Sequence, residues 1–317
     1  MYEGKTVAVV VPCYDEEELI GTVIETMPES VDRIIVVDDV SKDATRDIVR
    51  GFADREPHRV QLVEHERNGG VGRSIVTGYK TALEGGYDLV AVMAGDAQMD
   101  PEDLPGLLAP VASGECDYAK GNRLFTGDAW NLIPRVRYMG NAALSLMTKM
   151  ASGYWHVADS QTGYTVVSRE ALELLDLDAL YPRYGFPNDM LVQLNVYGMR
   201  VHDVPIRPVY GVGERSHIRL WKVIPTLSWL LFRRFWYRMF QKYIVRDTHP
   251  LVFFYVVGNV FIVAGLWLGL LQVAARLRDV APSIATTMLA TLLLIAGLQF
   301  VFFAMWFDMD YNKELHR

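Results

Sequence analysis

The chain has 317 residues, 51% of them hydrophobic, with 31 Lys and Arg against 38 Asp and Glu for a net charge of −7. That length holds one large α/β domain with an appendage, and an acidic balance speaks against a nucleic-acid-binding role. Two cysteines, Cys13 and Cys116, are too few for a metal cluster or a disulfide framework.

Thr6–Pro12 (TVAVVVP) is a continuous apolar run of buried-strand type, and no leader peptide is expected ahead of it. After it, Glu16–Met27 reads as a helix, Arg33–Val37 as a second strand, and Ala44–Asp54 as a helix. Val60–Glu64 is a third strand, Val71–Glu84 a helix introduced by Asn68-Gly69-Gly70, and Leu89–Met93 a fourth strand. Short apolar strands alternating with helices predict a doubly wound, mostly parallel sheet. Ligands in such sheets bind beyond the carboxyl ends of the strands. The polar candidates fall there: Pro12, Tyr14 and Glu16 after the first strand, Asp38 and Asp39 after the second, Asp96 and Gln98 after the fourth.

The fourth strand ends in LVAVMAGDAQMDP, residues 89–101. Carboxylate and amide oxygens delivered at a strand tip suit a hard divalent cation, which takes one or two protein carboxylates and fills its shell with waters and substrate phosphates. The same residues also read as a polar loop whose Asp100–Pro101 turn caps a helix at Glu102.

Further along, Ala119–Arg123 reads as a strand, Arg135–Ala151 as a helix, Thr162–Val167 as a strand, Met190–Tyr197 as a helix and Val201–Pro205 as a last strand. Residues 218–246 mix aromatic and basic side chains at helical spacing, as in an amphipathic helix or helix pair at a bilayer surface, broken near Pro225. Leu251–Ala275 and Val280–Phe307 contain no charged residue, and each exceeds the roughly 20 apolar residues that span a hydrocarbon core. The expected organisation is a domain over 1–217, interfacial helices over 218–249 and a membrane hairpin over 250–317, with spans near 251–275 and 282–306.

Charge divides along the same line. Residues 1–218 hold 20 Lys and Arg against 33 Asp and Glu, and residues 219–317 hold 11 against 5. Seven of the tail cations, Arg219, Lys222, Arg233, Arg234, Arg238, Lys242 and Arg246, precede the first span. By the positive-inside rule this flank and the large domain are cytoplasmic, in an integral protein of a plasma or ER-type membrane.

Six segments together resemble the family-2 glycosyltransferases of GT-A fold: VVVPCYDEEELI (9–20), IIVVDDVSKDAT (34–45), NGGVGRSIVTGY (68–79), VMAGDAQMDPEDLP (92–105), KGNR (120–123) and DSQTGYTVVSREAL (159–172). Within that family the chain looks most like the polyprenyl- and dolichyl-phosphate hexose synthases. The resemblance implies that Pro12, Tyr14, Glu16 and Asp39 frame the donor's base and ribose. It also implies that Asp96 and Gln98 hold the Mg²⁺ or Mn²⁺ bridging the donor diphosphate. Close relatives often carry Asp at the position of Ala94, so here the cation has one carboxylate fewer; Asp38 or Asp100 are candidates to compensate.

On the acceptor side, the resemblance aligns Arg123 and Arg137 with arginines that grip a lipid phosphate and Asn141 with a polar contact; Arg135 lies beside them. A guanidinium fork matches phosphate oxygens bidentately. Asp189 resembles an acid that touches sugar or acceptor, and it reads equally as a helix cap before Met190. Asp159 is read as a donor contact or as an anchor for its turn. Arg215, Ser216 and His217 fall where relatives carry a loop that closes over the diphosphate. Arg73, beside Gly70 and Gly72, is a further diphosphate candidate, although the glycines match neither a P-loop nor a dinucleotide fingerprint.

The expected function is therefore metal-dependent, inverting transfer of a hexose from UDP-glucose or GDP-mannose to polyprenyl or dolichyl phosphate. One alternative is extension of a lipid-linked glycan on a sugar hydroxyl, which requires a base such as Asp189. The other is a non-catalytic component of glycolipid translocation. Partners expected are the nucleotide sugar, the lipid phosphate and membrane lipid, with an oligomer open.

Overall fold

A computed structural model describes residues 1–124, 135–207 and 220–316. Contacts divide the chain into two units, Met1–Trp236 with Glu314–Arg317, and Tyr237–Lys313.

The first unit is built on a seven-stranded sheet of order β3-β2-β1-β4-β6-β5-β7. The strands are β1 (Val7–Cys13), β2 (Arg33–Asp38), β3 (Val60–Glu64), β4 (Leu89–Val92), β5 (Tyr118–Asn122), β6 (Thr165–Ser168) and β7 (Val201–Pro205). Pairing is parallel except at β6, which runs antiparallel to both β4 and β5. Helices cover both faces, which is why β1 is apolar without alternation and buried along its whole length. Val7, Val9 and Val11 face a core shared with α1 (Ile20–Glu25), α2 (Thr45–Arg55) and α4 (Leu104–Ala112). Ala8 and Val10 face the opposite core, filled by α3 (Val71–Glu84) and α7 (Phe186–Val196). Helix α3 lies directly on β1: a Cβ at Gly78 would stand 2.2 Å from Val10 Cγ1.

Several elements differ from expectation. Helix α1 starts at Ile20 rather than Glu16, because residues 15–17 are hydrogen-bonded to the turn after β2. Helix α7 begins at Phe186, and its N-cap is Gly185, so Asp189 does not cap it. A helix α5 spans Arg135–Ser152, and a short α6 (Arg169–Leu174), unanticipated, is capped by the Ser168 side chain accepting from Ala171 N. One helix, α8 (Leu220–Phe240), runs through Pro225 without a break. A proline in the early turns of a long helix removes a single ladder bond, which the rest of the helix outweighs.

Within the first unit, α8 packs through Leu227 and Leu231, both nearly inaccessible, while Ile224, Trp229 and Phe232 are exposed. Trp229 and Phe232 stack with ring centroids 5.6 Å apart. The face opposite the packed one is thus aromatic, the composition of a helix that lies in a bilayer interface.

The second unit contains a π-helical turn (Gln241–Arg246) and two long antiparallel helices, α9 (Leu251–Leu277) and α10 (Ile284–Tyr311). Both are long and apolar enough to cross a membrane. They meet on small residues: a Cβ at Gly297 would lie 2.8 Å from Gly258 O, and one at Gly265 would lie 3.0 Å from Ala290 O. At one end Arg238, wholly buried, pairs with Asp308 through Nη1 at 2.8 Å and Nη2 at 2.9 Å. Tyr243 donates to the same carboxylate at 2.6 Å, and Asn312 donates at 3.0 Å.

Candidate active site

The turns after β1, β2 and β4 converge, and each contains a non-glycine residue in the left-handed region: Asp15 (φ 56), Val40 (φ 68) and Ala97 (φ 54). Left-handed backbone is unusual, above all for a β-branched valine, and persists only where surrounding bonds over-determine it. Those bonds are present. Asp38, buried, accepts from the amides of Val40 and Ser41 at 3.1 Å each. Asp15 Oδ1 accepts from Lys42 N at 2.7 Å, Glu16 N donates to Thr45 Oγ1 at 2.8 Å, and Glu17 Oε2 accepts from Ala44 N at 2.9 Å. The first two turns are therefore stitched into one rim.

Asp39 reaches the opposite way. Its carboxylate accepts from Gly69 N at 2.8 Å and Gly70 N at 2.7 Å, and lies 2.9 Å from His65 Nδ1. Gly70 has φ +88 and sits against Pro182 O, where a side chain has no room. Asp38 and Asp39 thus shape the rim. Pro12 is buried in β1 beside Val37, Tyr14 is exposed at the strand tip, and Arg73 is exposed in the first turn of α3.

Four carboxylates surround the β1 tip. Burial pushes Glu16 up to about 7, reinforced by repulsion from Asp96, Asp43 and Asp15. Asp96 Oδ1 accepts from Gln98 N at 3.2 Å, and Ala94 N is 3.2 Å from Met99 Sδ, so the loop is held in a tight curl. Among the described residues no three His, Cys, Asp or Glu side chains form a ready-made cation cage. The oxygen donors that could hold a cation there are the carboxylates of Asp96 and Glu16, together with the carboxamide of Gln98 two residues beyond Asp96. All are hard oxygen donors, and the mutual repulsion of the acids is what a divalent cation relieves. Asp100 is engaged elsewhere: its side chain accepts from Glu102 N at 2.9 Å and starts the turn before α4.

A second polar cluster lies at the end of β5 and is joined to the first. Gly163 sits next to Met99, and Tyr164 OH donates to Asp100 O at 3.0 Å. Arg123 is paired with Asp159, Nε to Oδ2 at 2.7 Å and Nη2 to Oδ1 at 3.2 Å. Burial opposes the charge on Asp159, but the Arg123 hydrogen bonds hold its carboxyl below the usual range. Beneath them Lys120, wholly buried, donates to Thr162 O, and burial brings its amine down to about 8. Asp203 accepts from Asn122 Nδ2 at 3.1 Å and Ala158 N at 2.7 Å, and burial pushes it up to about 6. Sequence reading reaches Lys120 only as the first residue of KGNR and does not reach Asp203; the available signal was a lysine inside an otherwise uncharged strand.

Asp189 lies in the first turn of α7. It has no exposed surface; Tyr181 N donates to it at 2.8 Å, and Arg234 pairs with it through Nε at 2.5 Å and Nη2 at 2.6 Å. Burial raises it to about 6 against the opposing pull of Arg234. Arg135, Arg137 and Asn141 lie in the first turns of α5, where the side chains are outside the described residues, as are Arg215, Ser216 and His217 altogether.

Residues 8–175, just over half of the chain, match the family model described as glycosyl transferase family 2. The UDP-N-acetylglucosamine–dolichyl-phosphate N-acetylglucosaminyltransferase of Methanococcus voltae is 29% identical over 218 residues, which cover 65% of this chain and 86% of that protein. The undecaprenyl-phosphate mannosyltransferase of Micrococcus luteus is 32% identical over 205 residues, covering 63% and 82%. Among solved structures, glucosyl-3-phosphoglycerate synthase from Mycobacterium tuberculosis, crystallised with Mn²⁺, UDP and phosphoglyceric acid, superposes with a TM-score of 0.54. Identity is 21% over 74% of this chain and 78% of that one, a likeness of fold.

Proposed function

The chain belongs to glycosyl transferase family 2, with its GT-A fold, and we propose that it moves a hexose from UDP-glucose or GDP-mannose to a polyprenyl or dolichyl phosphate. The observation that carries the acceptor class is the state of Asp189. A sugar-hydroxyl acceptor must lose a proton and needs a carboxylate base within reach. Asp189 is wholly buried and tied to Arg234 and Tyr181. Asp189 is thus not placed to serve as that base, whereas a phosphate monoester is already anionic at neutral pH and attacks without one. Relatives bearing dolichyl-phosphate and undecaprenyl-phosphate names support the same choice, while their different sugars leave the donor sugar to experiment.

In this reading Tyr14 stacks on the donor base, and the rim built by Asp38 and Asp39 holds the nucleoside. Asp96 and Gln98, with Glu16 adjacent, hold a Mg²⁺ or Mn²⁺ ion. When bound, that ion supplies charge neutralisation to the leaving diphosphate. Arg123 and Arg137 orient the acceptor phosphate for a single in-line displacement, with inversion at the anomeric carbon. Arg73, Arg215, Ser216 and His217 are assigned to the diphosphate. The exposed aromatic face of α8 and the two long apolar helices support a membrane-resident acceptor, and the basic flank before α9 supports a cytoplasmic catalytic domain. The test is formation of organic-extractable label from a panel of labelled nucleotide sugars and polyprenyl phosphate.

A further inference from the structure

We propose that α10 pairs in the bilayer with α10 of a second copy of this chain, the two Gln299 carboxamides bonding to each other across a two-fold axis. The pairing needs only that the hairpin spans the membrane, whichever sugar is transferred. The two long helices contain three carboxamide side chains, Asn259, Gln272 and Gln299. Two have partners inside the hairpin: Asn259 Nδ2 donates to Tyr255 O at 2.8 Å, and Gln272 Oε1 accepts from Ser283 N at 2.8 Å. The hydroxyls of Thr287 and Thr291 likewise donate to the carbonyls four residues back, at 2.9 Å each. Gln299 is exposed, and it makes no hydrogen bond among the described residues.

Gln299 stands fifteen residues from Ile284 and nine from Asp308, about 22 Å and about 14 Å along the helix axis. Its side chain leans toward the N-terminus of its own helix, away from the nearer end, so the carboxamide stays among acyl chains. No water reaches it there, and an unmet amide is costly. A lipid or isoprenoid chain fills the space beside it but offers neither donor nor acceptor. A second carboxamide offers both. Chains of one sequence insert with one topology, so two copies of α10 meet as parallel helices. A residue on the two-fold axis then faces its own counterpart, and each Gln299 donates to and accepts from the other.

The rest of that face suits a helix. Leu292, Ile295, Gln299, Phe302 and Trp306 recur at alternating steps of three and four, the spacing of a coiled-coil seam. All five are exposed, and a groove lined also by Leu298 and Phe303 runs beside them. The opposite face is already used: Ala290, Gly297 and Ala304, seven residues apart, are buried, and the first two meet Gly265 and Gly258 of α9. A single polar residue within an apolar seam fixes its register and the number of helices that join it.

The experiment measures energy transfer between donor- and acceptor-labelled copies of the full chain in phosphatidylcholine vesicles, over a range of protein-to-lipid ratios. Wild type is expected to show transfer that fits a dimer and is diluted out by unlabelled chain. Gln299→Leu, which keeps the stripe apolar, raises the dissociation constant about tenfold, and Gln299→Asn recovers most of that loss. Asn259→Leu, which removes an amide bonded within its own helix, leaves the constant unchanged. Cysteine cross-linking is the second readout, the two native cysteines being buried. Leu292→Cys and Trp306→Cys, on the seam, join copies under oxidation, whereas Leu293→Cys and Phe300→Cys, off it, do not. Transfer no greater than random proximity at every ratio overturns the proposal, and lipid or a different protein then occupies the groove. Undiminished affinity in Gln299→Leu, or cross-linking that ignores the seam, overturns it as well.

Discussion

Arg234 closes a two-point ion pair on Asp189, with N–O distances of 2.5 and 2.6 Å, and so fixes α8 to the first turn of α7 inside the catalytic domain. A buried carboxylate that the sequence offers as a contact to sugar or acceptor thereby holds α8 in place. Removing one partner of such a pair leaves the other charge uncompensated, which is far costlier than losing an exposed pair.

Burial of Asp189 makes stability depend on pH. Burial raises Asp189 to about 6 in the folded protein, above the ordinary carboxylate value of 3.8, despite Arg234. A raised pKa means its contribution to stability is complete below the ordinary value and is lost as pH rises through about 6. Wild type should therefore gain on Asp189→Asn by several degrees in Tm as the pH falls from about 7 to about 5. An offset that is the same at both pH values contradicts this assignment.

The cation site predicts its own dependence. Asp96→Ala should lower kcat/KM on the order of a hundredfold or more, and excess chelator should abolish turnover. Placing an acid two positions before Asp96, Ala94→Asp, should lower the Mn²⁺ concentration for half-maximal rate. Full activity in excess chelator sinks the metal assignment.

Arg123 is held in a bidentate grip by Asp159, and the proposed reading assigns it the acceptor phosphate. Arg123→Lys keeps the charge but loses the planar fork. It should raise KM for the lipid phosphate about tenfold or more, with KM for the nucleotide sugar unchanged. A rise confined to the nucleotide sugar would place Arg123 on the donor instead.

The membrane hairpin has an internal control. A Cβ at Gly297 meets Gly258 O at 2.8 Å, whereas nothing lies within 4 Å of one at Gly269. Gly297→Leu should destabilise the detergent-solubilised protein by about 1–3 kcal/mol, and Gly269→Leu should leave it unchanged. Equal thermal retention of the two variants on size exclusion contradicts the packing.

Much of this was legible from residue order, and the reasons are local. Val60–Glu64, Val71–Glu84 and Val201–Pro205 have the bounds expected of them, because apolar period and glycine punctuation act over a few residues. The start of α1 differs from expectation because Glu16 N bonds to Thr45, a partner nearly thirty positions away. Residue order offers Asp38 and Asp39 as ligand contacts but does not show that they also hold Val40 and the Gly69–Gly70 loop in place. Asp189 was ambiguous for the same reason, since its partner Arg234 lies 45 residues along the chain. The burial of Lys120 was not legible because its compensation comes from Thr162, Asp159 and Asp203, on separate segments.

The most direct test is to incubate the detergent-solubilised protein with polyprenyl phosphate and a panel of labelled nucleotide sugars, alongside Asp189→Asn. The account predicts organic-extractable label from one donor, strictly dependent on the lipid phosphate, with kcat of the variant within about tenfold of wild type. Label that appears only with a glycan hydroxyl acceptor, together with loss of several orders of magnitude in Asp189→Asn, would contradict it.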